Sequence, residues 1–433
     1  MSIKKNALAT VALTGIAVAV SSAYAAGFQL TEQSSLGLGR AYAGAGIVGD
    51  DLSAVHYNAA GMTLLPGTQV QAGSVFIEVN APFTGANGES ENGRLKGQAI
   101  PHGYITHQVN DQLWLGLGMT VPFGMGTEYD QYWVGSDHGN QSMLMTIDIN
   151  PNVAYKVSDK LSIGGGISLQ YAKAELGQTT DIPGVGKVDG VVNGDSWSWG
   201  WNIGVMYQPT ETLRFGLAYR SNVCHDAEGD AKIRTNIAAD DRVGQGTLQY
   251  LGVQIGNHDD FKVRVRTPDT ITATATWEAT EDLRLSGLVR WAKWSNLGTL
   301  NIKSKGFATN VNQQTPAKLN EYYWQDTWLF SVGADYRLNN EWTLRGGMAY
   351  ETGAVDKTEY RPATIPDVDR VWLSLGGTYK YSKQIQFDFG ATYLMGVGNM
   401  DVYYGDDATG AKVKGEYDRL DAYILGAQVQ YRF

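Results

Sequence analysis

From about residue 67 to its end this chain alternates large apolar residues with small or charged ones, and that period limits what it can become. Leu213, Phe215, Leu217 and Tyr219 are separated by Arg214, Gly216, Ala218 and Arg220. The same rhythm returns in Leu113, Leu115, Leu117 and Met119, and in Leu161, Ile163, Ile167, Leu169 and Tyr171. It returns again in Val371, Leu373, Leu375, Tyr379 and Tyr381, and in the last segment from Tyr423 to Phe433. Successive side chains of a strand point to opposite faces, so each segment has one apolar and one polar face. The segments reach a dozen residues or more, against a soluble mode of about 5–6. No run of 18 apolar residues follows residue 25, so a mature chain that spans a membrane must do so as a closed barrel.

A soluble β-sandwich also alternates, but its connections do not follow the rhythm seen here. Fourteen candidate strands can be marked. Short turns follow the even ones, at 110–112, 158–160, 208–211, 278–282, 338–341 and 382–383. Long connections follow the odd ones, at 84–97, 123–140, 177–195, 226–260, 298–320, 354–366 and 399–415. Short periplasmic turns and long extracellular loops are the mark of an outer-membrane barrel. The 24 Tyr and 12 Trp suit aromatic girdles, and the 53 Gly argue against helices. The fold class expected is all-β, a 14-stranded antiparallel transmembrane β-barrel with an N-terminal hatch in its lumen.

The first 25 residues read as an export signal. Lys4 and Lys5 precede an apolar stretch from Ala7 to Val20, and Ala23-Tyr24-Ala25 gives the small-x-small cleavage pattern. Cleavage makes the chain more acidic than its formal charge of −10, which disfavours nucleic acid because no basic stripe exists to neutralise phosphates. Cys224 is the only cysteine, so no internal disulfide forms. Residues 26–66 do not alternate; they are rich in glycine and poor in large apolar residues. A barrel of fourteen strands is too wide for wall side chains alone to fill. The domains expected are therefore a signal peptide over 1–25, a hatch over 26–66 and a barrel over 67–433.

Ala26-Gly27-Phe28-Gln29-Leu30 and Gly37-Leu38-Gly39-Arg40-Ala41-Tyr42-Ala43-Gly44 resemble the N-terminal hatch of the FadL family, outer-membrane transporters of long-chain fatty acids and other hydrophobic compounds. Residues 365–374, Gly200-Trp201-Asn202-Ile203-Gly204 and Tyr219-Arg220-Ser221 look like family segments too. One departure stands out. The family's Asn-Pro-Ala before the first strand is here Asn58-Ala59-Ala60, which puts the hatch–wall junction in doubt. The resemblance implies that ligand lands among the extracellular loops, moves to a site beside the hatch, and leaves sideways through a kinked third strand. Pro122, Gly124 and Gly126 are the residues that would break that strand, since proline gives no N–H to a ladder and glycine permits bulges; alternatively, Pro122 simply ends it. Phe28 in the hatch and Phe123, Met125 and Trp133 in the following connection are candidate ligand contacts, although such a loop can also pack on itself. Lys173 and Lys318 are candidate cations for a carboxylate. Lys173 shares the outward parity of Leu169 and Tyr171, so it can equally be a rim lysine snorkelling above the lipid.

Six scattered histidines and the pairs Asp50-Asp51 and Asp259-Asp260 form no metal motif, and no nucleophile elbow occurs. No enzyme activity, cofactor or metal is expected. The partners expected are a long-chain fatty acid or another hydrophobic small molecule, and the lipid and lipopolysaccharide of a Gram-negative outer membrane around a monomer. A barrel transporting aromatic hydrocarbons is the alternative. A barrel enzyme, an adhesive barrel or a polar porin is the reading from other classes.

Overall fold

The computed structural model describes residues 27–92, 97–131, 133–136, 139–238, 240–251, 255–297, 299–303, 317–321, 323–361, 366–406 and 411–433. The expected signal peptide lies outside the described residues. Fourteen antiparallel strands form the wall. They are β1 (Thr68–Asn80), β2 (Gln98–Gln108), β3 (Leu113–Thr120 and Gly124–Glu128), β4 (Gln141–Ser158), β5 (Leu161–Ile182), β6 (Gly186–Tyr207) and β7 (Leu213–Arg220 and Cys224–Thr235). They continue as β8 (Gly256–Arg266 and Thr270–Glu278), β9 (Leu283–Ala292 and Thr299–Lys303), β10 (Ala317–Glu321 and Thr327–Arg337), β11 (Trp342–Glu351), β12 (Asp369–Lys380), β13 (Ile385–Val397) and β14 (Asp421–Arg432). The barrel closes where β1 pairs with β14, from Gln69↔Arg432 to Asn80↔Asp421.

Alternation sorts the side chains. Leu115, Leu117, Met119, Ile167, Leu217, Met348 and Leu375 face outward and are exposed, as a lipid-facing surface requires. Gln71, Thr106, Asn150 and Gln170 face inward and are buried. Aromatic residues bound the apolar band: Tyr155, Tyr207, Trp277 and Trp342 lie near the short turns, and Trp197, Trp199, Trp328 and Tyr423 near the other rim.

Two long connections are more regular than expected. The segment 177–195 is a continuation of β5 and β6 around a three-residue turn, because Ile182 and Val188 bury themselves against Ile233 and Leu248. The segment 226–260 supplies the outer arms of β7 and β8 and a helix, Arg242–Leu251, that carries Leu248 into that cluster. Pro82–Gly85, Ser90–Asn92, Asp401–Asp406 and Ala411–Tyr417 form a small sheet above the barrel.

Residues 27–66 fill the lumen. They form little regular structure, so wall side chains take up their backbone groups. Gln428 accepts from the N–H groups of Ser35 and Leu36, Gln71 accepts from Leu52, and Trp114 donates to the Leu65 carbonyl. Asn58 caps the 3₁₀ turn Ala59–Leu64 and donates to the Val205 carbonyl, so an asparagine side chain ties the hatch to the wall at the junction that lacks proline. Contact is too close for side chains in places: a Cβ on Gly39 would lie 2.8 Å from the Cα of Gly376 on β12. Ala41 and Tyr42 adopt left-handed φ of 52° and 63°, a strain of about 1–2 kcal/mol per residue. Burial of the Tyr42 ring against Trp372 and Tyr57 offsets it.

Ion pairs fasten the same segment. Arg40 pairs with Asp50 at 2.9 Å and with Asp335 of β10 at 3.3 Å. Arg284 of β9 and Arg345 of β11 reach the same two carboxylates. Burial alone would raise the Asp50 carboxyl, but Arg40 and Arg284 outweigh it and hold it well below the usual range. Among the described residues, Asp335→Asn leaves Arg40 and Arg345 with Asp50 as their one ion-pair partner, while Arg284 keeps Glu278 as well. Breaking a buried pair in this way costs about 3–5 kcal/mol, so the variant should show a lowered thermal unfolding midpoint in detergent.

Candidate functional site

The wall is interrupted at Val121–Phe123. The inner arm of β3 pairs with both neighbours, β2 and β4. The outer arm, Gly124–Glu128, pairs with β4 from Gly124↔Met145 to Glu128↔Gln141. Among the described residues no ladder joins that arm to Gln98–His102 of β2. Pro122, which has no N–H to give, sits in the middle of the break.

The start of the hatch takes over the missing bonds. Leu30 N–H donates to the Pro122 carbonyl at 2.8 Å, and Gly124 N–H donates to the Phe28 carbonyl at 3.1 Å. The Gln33 amide does both jobs at Val121, donating to its carbonyl at 2.7 Å and accepting from its N–H at 3.1 Å. Thr146 of β4 holds Phe123 from the other side. Gly124 leaves room for Leu30, whose Cδ1 would lie 2.8 Å from a Cβ there.

Above this junction Phe28 sits in an aromatic nest. Its ring centroid lies 5.9 Å from Phe123, 4.7 Å from Trp294 and 6.0 Å from Trp324, and all four rings are buried. Trp294 and Trp324 come from interruptions in β9 and β10 that turn them into the lumen.

Beside the nest lies a cavity of about 50 Å³ between hatch and wall, lined by Gln29, His56, Phe123, Gln170, Arg220 and Arg290 among others. That volume holds a few waters at about 10–15 Å³ each. It is far too small for an alkyl chain, so entry of one requires Phe28 and its neighbours to move. Two cations border the space. Arg220 bonds Asp148 and Asn150 of β4 and the His56 carbonyl. Arg290 bonds Thr31 of the hatch at 2.8 Å and Glu351 of β11 at 3.1 Å. Arg370 backs Glu351 at 3.5 Å. Glu32 is buried among them, and burial, helped by Glu351, pushes its carboxyl up to about 7 against the opposing effects of its backbone bond, Arg290 and Arg370.

The structure brings together Phe28, Phe123, Pro122 and Gly124. Gly126 lies further along the outer arm, where a Cβ would be 3.0 Å from Gln98 Nε2. Met125 pairs with Leu144 on the same arm, and its side chain lies outside the described ones. Trp133 is elsewhere: it stacks on Tyr129 at 4.1 Å and packs edge-on against Phe83 in the cap above the barrel. The loop is closed on itself there, rather than open as an apolar groove. Lys173 lies on the outer surface of β5, in register between Met145 and Asp195 and away from the lumen. Lys318 is opposite Asn301 in the outer arm of β10, and its side chain is outside the described ones. Sequence reasoning missed Gln33, Trp294 and Glu351, whereas the parity of Arg290 within its strand already turns it inward to a carboxylate partner. Trp294 leaves a trace, since the step from Trp291 to Trp294 breaks the period of two.

Gln33→Leu strips two bonds from Val121 at about 1–3 kcal/mol for each buried group left unsatisfied. Hydrogen exchange should quicken at residues 28–33 and 121–124 with little change in barrel melting. Between pH 4.5 and about 7 the folded chain keeps the Glu32 proton that an unfolded chain releases. Hatch stability therefore falls as pH rises through that window. Glu32→Gln should flatten this dependence, read as hatch hydrogen exchange against pH.

The fold and site have known counterparts. The chain is 30% identical to outer membrane protein P1 of Haemophilus influenzae over 88% of this chain and 89% of that one. It is 29% identical to the long-chain fatty acid transport protein of Escherichia coli O6:H1, covering 99% and 98%. The crystal structure of a Pseudomonas aeruginosa FadL homologue superposes with a TM-score of 0.83 at 22% identity, covering 94% of this chain and 99% of that one. The Ralstonia pickettii toluene transporter TbuX shares the fold at a TM-score of 0.68 and 19% identity, covering 92% and 98%. Residues 16–433 match the family model of outer membrane protein transport proteins (OMPP1/FadL/TodX), and this outer-membrane barrel belongs to that family.

Proposed function

We propose that this chain carries hydrophobic molecules, long-chain fatty acids foremost, from the cell exterior into the outer membrane, and that residues 26–66 act as its hatch. The observation that carries the reading is the shared seat of Phe28. Its ring occupies the apolar nest, and its carbonyl holds Gly124 at the break in β3. A ligand that displaces the ring also pulls on the bonds that seal the wall. Binding and opening are then one event, and the ligand leaves between β2 and the outer arm of β3, the lateral gate of Pro122, Gly124 and Gly126. Phe28 and Phe123 contact the chain of the ligand, with Met125 next along the strand, and the closed cap around Trp133 loosens where ligand first lands. Arg290 receives a carboxylate, with Lys318 as a further cation on the way in. Lys173, on the outer surface, meets the phosphates of lipopolysaccharide. The path lies within one barrel, so a monomer suffices.

Fatty acid is favoured over arene by the two guanidiniums at the cavity and by the name of the long-chain fatty acid transport protein, 29% identical to this chain, against 19% for the toluene transporter TbuX. A neutral arene has no use for Arg290. Arg290→Gln leaves Glu351 paired with Arg370. Losing a bond from a charged donor costs about 1.5–3 kcal/mol, so oleate affinity should fall about tenfold or more while toluene affinity barely moves. Isothermal titration of the purified variant with both ligands checks this, and equal losses for the two would sink the fatty-acid reading.

A further inference from the structure

The wall has a second place where the ladder fails. The inner arm of β7 pairs with β6 from Phe215↔Tyr207 to Arg220↔Asn202. Pairing resumes only at Glu228↔Asp195. Between them residues 196–201 face residues 221–227 with no ladder, although all of these residues are described. Below the gap Ser221 N–H donates to the Trp201 carbonyl. Above it, side chains replace the backbone bonds. Ser198 Oγ donates to the Cys224 carbonyl at 2.6 Å. Ser196 Oγ lies 2.9 Å from His225 Nδ1, and His225 Nε2 lies 2.9 Å from Gln170 Oε1. At the lower lip Ser221 Oγ accepts from Trp201 N–H.

This seam and the break in β3 are matched. The inner arms of β3 and β7 are each eight residues long, which puts both gaps at one height above the short turns. The same cavity touches Pro122 and Phe123 on one side and Ser221 and Val223 on the other. Gly200 carries no side chain at the β6 lip, and the Ser221 hydroxyl and a Val223 methyl cover it, each 2.9 Å from where a Cβ would stand. Outside, Trp197, Trp199 and Trp201 stand exposed along the β6 lip, the girdle chemistry of a membrane interface. Backbone groups in lipid cannot give up a ladder without another partner. Hydroxyl and imidazole groups on rotatable side chains can swing from one partner to another.

We propose that the hatch-side cavity has a second lateral exit, between β6 and β7, latched by Ser196, Ser198 and His225 and opening to the outer leaflet beside the Trp197–Trp201 girdle. It passes hydrophobic molecules of the class carried through the β3 break, and it rests on the transport reading above. The test uses two disulfide staples in a Cys224→Ala background. Ser196→Cys with His225→Cys closes the β6–β7 seam, and Gln98→Cys with Gly126→Cys closes the β2–β3 gap. Uptake of radiolabelled oleate is followed in cells that have this protein as their only such channel, before and after reductant. The reduced state of each variant controls for folding. With two parallel routes, each staple alone should leave measurable uptake, the two residual rates should add up to about the full rate, both staples together should abolish uptake, and reductant should restore it. Complete loss with the β2–β3 staple alone, or no effect of the β6–β7 staple in either background, would overturn the second exit. No uptake by the unmodified protein would instead fell the transport reading, and this route with it.

Discussion

The hydrogen-bond accounting at Val121–Phe123 governs this molecule. A strand that faces lipid cannot leave its backbone groups without partners. Pro122 removes one donor from the wall, and the remaining groups of the break turn inward to Leu30, Phe28 and Gln33. The barrel is therefore complete only when the hatch is seated. Wall and hatch share a ladder at that point, which couples what occupies the lumen to whether the wall is shut.

Charge distribution supports the same division of labour. The Arg40, Asp50, Asp335, Arg284 and Arg345 cluster anchors the hatch to β9, β10 and β11. The Arg290, Glu351 and Arg370 cluster sits beside the cavity and touches the hatch through Thr31. The first cluster satisfies its charges among close partners. The second borders the small cavity beside Phe28.

The barrel was legible because lipid imposes the period of two over long stretches, and because loop lengths alternate with the side of the membrane. Leu213 to Tyr219 and the turn at 208–211 are examples of each. The extension of β5 and β6 through 177–195 was not legible, because the polar run Gln178, Thr179, Thr180 and Asp181 shows no apolar stripe even though Gln178 and Thr179 are buried. At the site, Pro122 and Gly124 were readable as breakers. Phe28 and Phe123 could be named, but not their meeting, which depends on tertiary contact between residues far apart in sequence. Gln33 gave no signal at all; a glutamine in a glycine-rich leader looks like any polar residue. For Lys173 the sequence left two readings open, a carboxylate cation or a rim lysine, and the register of β5 puts it on the outer surface.

The close approach of Gly39 to Gly376 bears on how the hatch can move. Backbone packed against backbone leaves no slack for sliding or tilting, and ion pairs pin the same stretch. The residues before Gln33 are held by a few exchangeable bonds and by one ring in a nest. The plug is thus built like a hinge with one leaf screwed to the frame and the other on a catch. In the transport mechanism proposed above, a short stroke of the free leaf unseals the membrane wall while the bolted leaf stays in the lumen.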